Sequence, residues 1–398
     1  MMTEQINTRD QTNGRSRLSA ERHRAPARVE VDVVVVGAGA AGVGVGVALS
    51  DAGIIDFLIL DRYGVGASFD RWPEQMRFIT PSFATNSIGM LDLNSVVIGA
   101  SPAFTLGVEH PTGTQYAAFL RAVAEYFELP VRPGIDVLSV TPGGNGFVLH
   151  TDQGAIWARQ VIWAAGEFQY PQTAGFPGAE LCRHNATIDS WESVAGRKVV
   201  VIGGYESGID AAIHLARIGM QVTVLDRGDP PPWVSQSSDP STSLSTHTRE
   251  RLGEPQVKQR VTLVGGAQVT EAQRRGRGYR VLCDNGDRFN ATAQPILATG
   301  FGGSVSLVAD LFDKREDGYP LLNDRDESTT TPGLFLCGPM VRHDNHVFCF
   351  IYKFRQRFAV VAKTIADRLG LPAEELETYR QWGMYLDDLS CCGEECVC

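Results

Sequence analysis

Lysine is scarce in this 398-residue chain, with five against 31 arginines. Basic residues as a whole are outnumbered, 36 Lys and Arg against 46 Asp and Glu, for a formal net charge of −10. That balance, spread along the chain, argues against nucleic acid or anionic membrane as the main partner. Charged residues make up only 21% and hydrophobic residues 43%, which excludes a disordered or collagen-like chain. An apolar leader is missing. Met1 to Arg28 is polar and Arg-rich, and reads as a disordered tail rather than a secretory signal. A cytoplasmic location with reduced thiols follows as the expectation. Long apolar runs are nearly absent. Val33 to Leu49 alone approaches the ~20 residues of a membrane span, and its glycines and alanines at turn spacing mark strand, turn and helix instead.

The length allows two or three domains, each able to bury a core. The first unit opens with a strand at Val31–Val36, a Gly-rich turn and a helix to about Ala52, then a strand at Asp56–Leu60. A helix is expected over about Thr114–Phe127, strands near Ile135–Val140 and Gly146–Thr151, and a buried strand over Trp157–Ala165. Pro171–Trp191 reads as a linker. The β–turn–α–β pattern then recurs as Lys198–Ile202, glycines, Ser207–Ile218 and Gln221–Leu225, a coarse internal duplication. Asp229 to His247 reads as a long loop. Strands return near Val261–Val264, Tyr279–Cys283 and Pro295–Ala298, and a last helix over about Cys349–Leu369 precedes an acidic, Cys-rich end.

The first turn is Gly37-Ala38-Gly39-Ala40-Ala41-Gly42. Gly37 permits the tight turn, Gly39 lets the backbone approach a pyrophosphate, and Gly42 allows close helix–strand packing. The helix N-terminus adds N–H donors and partial positive charge. Asp61 ends the next strand, where an acid would bind a ribose, and Arg62 follows it. The second turn, Gly203-Gly204-Tyr205-Glu206-Ser207-Gly208, keeps the outer glycines but has Tyr205 in the middle place. A tyrosine there either pushes the backbone away from a pyrophosphate or lays a ring over it. Asp226 and Arg227 end the following strand. Two such turns imply two dinucleotides, economically FAD and a nicotinamide carrier, NADH or NADPH.

On these residues the chain resembles the two-dinucleotide-binding-domain flavoproteins: thioredoxin reductases, bacillithiol-disulfide-type reductases and flavin-containing monooxygenases. The resemblance covers about Val29 to Leu369. Ala164-Ala165-Gly166 and Ala298-Thr299-Gly300 resemble the two strand ends that return the chain to its cofactors. Pro332 through Gly338 resembles the late strand leading to the flavin, with Pro339 in place of the usual Asp. The resemblance implies an α/β fold with two Rossmann-like domains, the NAD(P)H domain inserted into a discontinuous FAD domain. The expected divisions are 1–28 tail, 29–190 FAD domain with linker, 191–297 NAD(P)H domain, 298–385 FAD domain resumed, and 386–398 Cys-rich tail. Ser68 to Trp72 and Arg77 to Pro81 resemble the flavin-side segment of the monooxygenases, so Ser68 and Trp72 join the expected cofactor residues, and Val137 is expected among them as well. Three positions of the monooxygenase fingerprint are replaced, by Leu181, Arg183 and Thr187. The reductases' flavin-side dithiol is missing as well: Asp61–Pro81 has no cysteine and 191–297 only Cys283.

Four of the eight cysteines stand in the last eight residues: Cys391, Cys392, Cys396 and Cys398. The vicinal pair, with Cα atoms about 3.8 Å apart, could close only a strained, easily reduced disulfide. Clustered thiolates also suit a soft metal ion, and the pair resembles that of mercuric reductases. Cys182, Cys283 and Cys337 read as packing residues. His343 or His346, after the late strand, would lie near the flavin as an acid/base or else cap the next helix. Cys349, at the expected helix start, would have a lowered pKa.

The leading expectation is an FAD-dependent NAD(P)H oxidoreductase passing electrons to a thiol, disulfide or soft metal(loid) acceptor through the tail. The alternatives are a flavin monooxygenase of a soft heteroatom and a non-catalytic flavoprotein redox sensor or metal-binding scaffold. A small-molecule or thiol substrate, no nucleic acid, no membrane and a homodimer complete the reading.

Overall fold

The computed structural model describes residues 29–84, 91–237 and 239–391. The segment expected to be an N-terminal tail lies outside the described residues, as do Cys392, Cys396 and Cys398, and of Cys391 only the backbone is described.

The valine-rich stretch Val29–Val36 forms β1, the middle strand of a mixed sheet. β-Branched side chains on both faces suit a parallel strand buried on both sides. It is flanked by β2 (Phe57–Asp61) and, on the other side, by β6 (Gly154–Trp163), both parallel to it. β3 (Val131–Pro133) extends the sheet beyond β2, while β4 (Val137–Gly143) and β5 (Gly146–Thr151) run antiparallel beyond β6. Between β1 and β2 lies α1 (Ala40–Asp51), buried from Ala40 to Leu49. It is apolar all round because it is covered all round. A methyl on Gly44 would lie 2.1 Å from the Phe358 ring, so only glycine lets the C-terminal helix seat there. The apolar run Val33–Leu49 is therefore strand, turn and helix. No helix among the described residues is long and apolar enough to cross a membrane. α2 (Gly113–Tyr126) starts on a capping box, Thr112 with Gln115.

The second sheet is wholly parallel, in the order β10-β9-β8-β14-β7. Its strands are β7 (Arg183–His184), β8 (Lys198–Ile202), β9 (Gln221–Leu225), β10 (Val261–Val264) and β14 (Ile296–Leu297). α3 (Glu206–Arg217) joins β8 to β9 as α1 joins β1 to β2. The stretch that reads as a linker thus contributes an edge strand, β7, paired to β14. The end of the expected loop carries α4 (Thr246–Leu252), capped by Ser245, which accepts the Thr248 N–H at 3.2 Å. β11 (Val269–Arg275), β12 (Gly278–Cys283) and β13 (Arg288–Ala291) form a separate antiparallel meander. Two of its strands, β11 and β13, are not expected from the sequence. β15 (Leu334–Leu336) returns to the first sheet beside β6. The last helical stretch begins at Ile351 as α5 (Ile351–Phe354), passes a 3-10 turn, and continues as α6 (Phe358–Leu369). The duplication read from the sequence is real at the level of topology: β1 and β8 each sit between a following strand and a returning one.

Candidate active site

The first glycine turn is held from three directions. Gly37 has φ +106°, and a methyl there would lie 2.5 Å from the Ala164 carbonyl oxygen at the end of β6. A methyl on Gly42 would lie 1.8 Å from the Gly37 carbonyl oxygen. Asp61 accepts the Ala38 N–H at 2.8 Å on one oxygen, and the N–H groups of Tyr63 (2.8 Å) and Gly64 (2.7 Å) on the other. The acid at the end of β2 is therefore a brace for the turn as well as a group on its rim. Gly39 differs from its neighbours. A methyl on it would meet nothing within 4 Å, because it faces a cavity of about 390 Å³.

Gly37, Gly39, Ala40, Ala41, Asp61, Arg62, Ser68, Trp72, Val137, Ala165, Gly166 and Pro339 all line that cavity. Gly39 is the N-cap of α1 and no acidic residue stands in the first turn, so the helix presents N–H groups there without a competing carboxylate. On the cavity wall Arg62 donates to the Tyr170 hydroxyl at 2.6 Å and pairs with Asp136 at 3.1 Å. Phe69, Trp72 and Phe78 form an aromatic wall, with Trp72 and Phe78 centroids 4.9 Å apart. Tyr116 backs it from the core, its hydroxyl donating to the Asn94 carbonyl. Glu167 lines the cavity just after Gly166, and burial raises its carboxyl above the usual range, against an opposing pull from Arg342. Burial also raises the Glu206 carboxyl. Glu206, Ser207 and Asp210 bring the start of α3 to the cavity wall, and the Asp210 Oδ2 atom is buried there without a partner.

The second turn repeats the construction. Gly203 has φ +104°, and a methyl there would lie 2.2 Å from the Ala298 carbonyl oxygen. On Gly208 it would lie 1.9 Å from the Gly203 carbonyl oxygen. Asp226 accepts the Gly204 N–H and the Gly228 N–H, both at 2.7 Å. The mouth, however, is covered. A methyl on Gly204 would lie 2.3 Å from the Trp233 ring. The Tyr205 hydroxyl donates to the Pro240 carbonyl at 2.6 Å. Gly42, Gly203, Gly204, Tyr205, Gly208, Asp226 and Arg227 are not among the cavity residues, nor are Ala298, Thr299, Gly300 and Gly338. Thr299 donates to the Gln172 carbonyl, and the Gly300 carbonyl accepts from Gln172 N–H and faces His184 Nε2 at 3.0 Å. Gly338 supports α1, where a methyl would lie 3.2 Å from the Ala41 Cβ.

Three expectations about chemistry need correction. His343 does not face the cavity: its Nε2 lies 2.5 Å from Asp326, whose other oxygen accepts from Arg357 at 2.9 Å. All three are buried, so the histidine belongs to a structural ion-pair network. Burial alone would raise Asp326, but Arg357 and His343 outweigh it and hold its carboxyl below the ordinary range. His346 sits on the hairpin with its Nδ1 3.2 Å from the His343 carbonyl oxygen, also away from the cavity. Cys349 does line the cavity, but it precedes the helix start at Ile351 and burial raises its thiol pKa rather than lowering it. Its sulfur is 3.2 Å from the Ser241 hydroxyl. The free cysteines with described side chains are Cys182, Cys283, Cys337 and Cys349, and only Cys349 reaches the cavity. Among the described residues no His, Cys, Asp or Glu group is arranged to hold a metal ion. The tail cysteines' side chains lie outside them. Phe78, Asn94, Glu167, Asp210, Phe301 and Leu307 also line the cavity without having been singled out. Phe78 stood inside the segment Arg77 to Pro81 already noted, and Glu167 directly after Gly166. Nothing periodic marks the others.

The sequence pattern of a family described as pyridine nucleotide-disulphide oxidoreductase matches residues 34–338. Bacilliredoxin reductase Bdr of Bacillus subtilis (strain 168) is 26% identical over 235 residues, 56% of this chain and 67% of that protein. The bifunctional thioredoxin reductase/thioredoxin of Mycobacterium leprae (strain TN) is 26% identical over 274 residues, 65% of this chain. The chain spans about half, 54%, of that relative's length. A flavin-containing monooxygenase from Stenotrophomonas maltophilia superposes with a TM-score of 0.67 at 18% identity, over 86% of this chain and 99% of the other, and so shares the fold.

Proposed function

The chain belongs to the pyridine nucleotide-disulphide oxidoreductases, and from that premise we propose that it is an FAD-dependent NAD(P)H oxidoreductase whose electrons leave through thiol chemistry. The observation that carries this reading is one cavity lined by Gly39, by the aromatic wall and by Cys349. Its residues fit an FAD: open backbone at Gly39, N–H groups of α1 for a pyrophosphate, Asp61 and Arg62 at the rim, and aromatic surface to exclude water. FAD held there would supply a hydride acceptor that passes electrons onward singly or in pairs. Glu167 lines the same wall, and burial raises its carboxyl above the usual range. The second turn, with Asp226 and Arg227, is assigned to the nicotinamide carrier. The divisions 29–190, 191–297 and 298–385 are assigned to FAD, NAD(P)H and FAD parts, with the β7 edge strand crossing the first of them.

Cys349 has no cysteine partner among the described residues, so a disulfide or soft metal(loid) acceptor has to arrive from outside the cavity. The tail is rooted close by. Leu386 N–H donates to the Gln356 carbonyl at 3.0 Å, and Arg357 donates to the Leu386 carbonyl. Cys391 and Cys392 are assigned to relay or accept the cavity's electrons, and Cys396 and Cys398 to hand electrons or metal onward.

The test is anaerobic reduction of the FAD-loaded protein by NAD(P)H, followed by re-oxidation with disulfides, soft metal ions or oxygen. Truncation after Ser390 is expected to leave flavin reduction intact and to slow re-oxidation by the thiol-type acceptor. Equal re-oxidation with and without the tail for every acceptor would contradict the tail's role. The apolar wall and the lone cavity cysteine favour a second reading, monooxygenation of a soft heteroatom. That reading requires oxygen consumption matched by oxygenated product.

A further inference from the structure

The cover over the second glycine turn is tied down at two places. On the turn itself, Trp233 lies against Gly204, Tyr205 donates to Pro240, and the Glu206 carboxylate accepts from Ser245 N–H and, at 2.6 Å, from the Thr248 hydroxyl. At the other end, the buried Lys353 ammonium on α5 donates to Asp239 and to the Ser241 hydroxyl, both at 3.0 Å. Ser241 also contacts the Cys349 sulfur. Burial would raise the Asp239 carboxyl. The Ser241 N–H and Lys353 outweigh it and keep it below the usual range.

We propose that residues 239–245, with Trp233, are a strap that closes the second glycine turn and is released from Lys353 when a nicotinamide dinucleotide binds. The inference rests on assigning that turn to the nicotinamide carrier. Geometry requires it. A dinucleotide on the turn must lie where Trp233 meets Gly204, beside the Asp226 carboxylate, and its pyrophosphate must pass Tyr205. The turn itself cannot yield, because the Ala298 and Gly203 carbonyls fix its glycines. The strap's far end can, since polar contacts hold Asp239 and Ser241, while Leu244 stays packed in the core. Opening it costs the bonds to Pro240 and Lys353, so measured affinity is intrinsic affinity reduced by the fraction open. It also separates Ser241 from Cys349, which makes occupancy of the second turn felt in the cavity that Cys349 lines.

The test uses the full-length, FAD-loaded protein. Hydrogen exchange of peptides covering 239–245 is measured with and without saturating NADH and NADPH. Dinucleotide affinity is measured for the wild type, Tyr205→Phe and Lys353→Met, with flavin content checking that each variant is folded. The strap predicts faster exchange in 239–245 on binding, about fivefold tighter binding for Tyr205→Phe, the share of one hydrogen bond, and a larger gain for Lys353→Met, which removes two. Dinucleotide binding without faster exchange, or with variants no tighter, overturns the strap and leaves the site assignment standing. No binding by the wild type or either variant overturns both.

Discussion

At the first glycine turn a side chain placed on Gly39 would meet nothing within 4 Å. At the second, the residue in that place is Tyr205, bonded to Pro240, and the neighbouring Gly204 lies under Trp233. Everything beneath is shared: positive φ at the first glycine, a carbonyl from the returning strand packed against it, a last glycine against the first, and an aspartate bracing the turn. The difference shows that two requirements are separable. Closing a strand–turn–helix needs the outer glycines and the acid. Admitting a ligand needs an open middle position, and the two halves of this molecule treat it in opposite ways.

The largest effects are expected where the halves agree. Gly42→Ala and Gly208→Ala each drive a methyl into a carbonyl oxygen and should cost about 3 kcal/mol, read by denaturant unfolding. Gly42→Ala should also release flavin, while Gly208→Ala should leave it bound. Equal flavin loss from both would erase the distinction between the halves. Next comes the position where they differ. Gly39→Leu should abolish flavin retention while changing stability by no more than about 0.5 kcal/mol, because the side chain enters open space. Retained flavin would show that the cavity is not its site.

Removing the braces should give intermediate effects. Asp61→Ala strands three backbone N–H groups and Asp226→Ala two, so each should cost about 2 kcal/mol or more, the first lowering FAD affinity and the second NAD(P)H affinity. The reverse pairing would swap the assignments.

The smallest effect is a pH dependence where the closed half meets His110 of the first. His247, on α4, stacks on His110 with centroids 3.7 Å apart. Burial, then the nearby Arg251 and His110, hold its pKa down to about 4. An unfolded histidine titrates near 6.5, so between those values the unfolded chain binds the proton and the folded one does not. Stability is therefore full above about pH 6.5 and is lost as pH falls toward 4. His247→Phe should flatten melting temperature over that window, and an unchanged slope would remove His247 from the account.

Both strand–turn–helix units were legible because valine runs, glycines and the closing acid are local signals. So was α2, through the helical period of its apolar residues. What escaped depends on partners far along the chain. β11 is the polar stretch VTEAQRR, a strand only because β12 pairs with it. α4 lacks apolar periodicity and is anchored by Arg251 on Asp210 at 2.7 Å. His343 stands beside the late strand in sequence, yet Asp326 and Arg357 claim its ring. Cys349 was given a helix N-terminus that begins two residues later. The cover of the second turn was half legible. Tyr205 announced a departure, but nothing in the Pro-rich stretch around Trp233 shows that it folds back onto Gly204.

The central claim is that two glycine turns in one chain serve two dinucleotides, one held open and one covered. It is tested most directly by mixing anaerobic, FAD-loaded protein with NADH or NADPH and following the flavin absorbance. The account predicts one FAD bound per chain and bleaching by at least one of the two nucleotides, lost in Gly208→Ala although its flavin remains. An absence of bound flavin at saturating FAD, or bleaching that survives in Gly208→Ala, would contradict it.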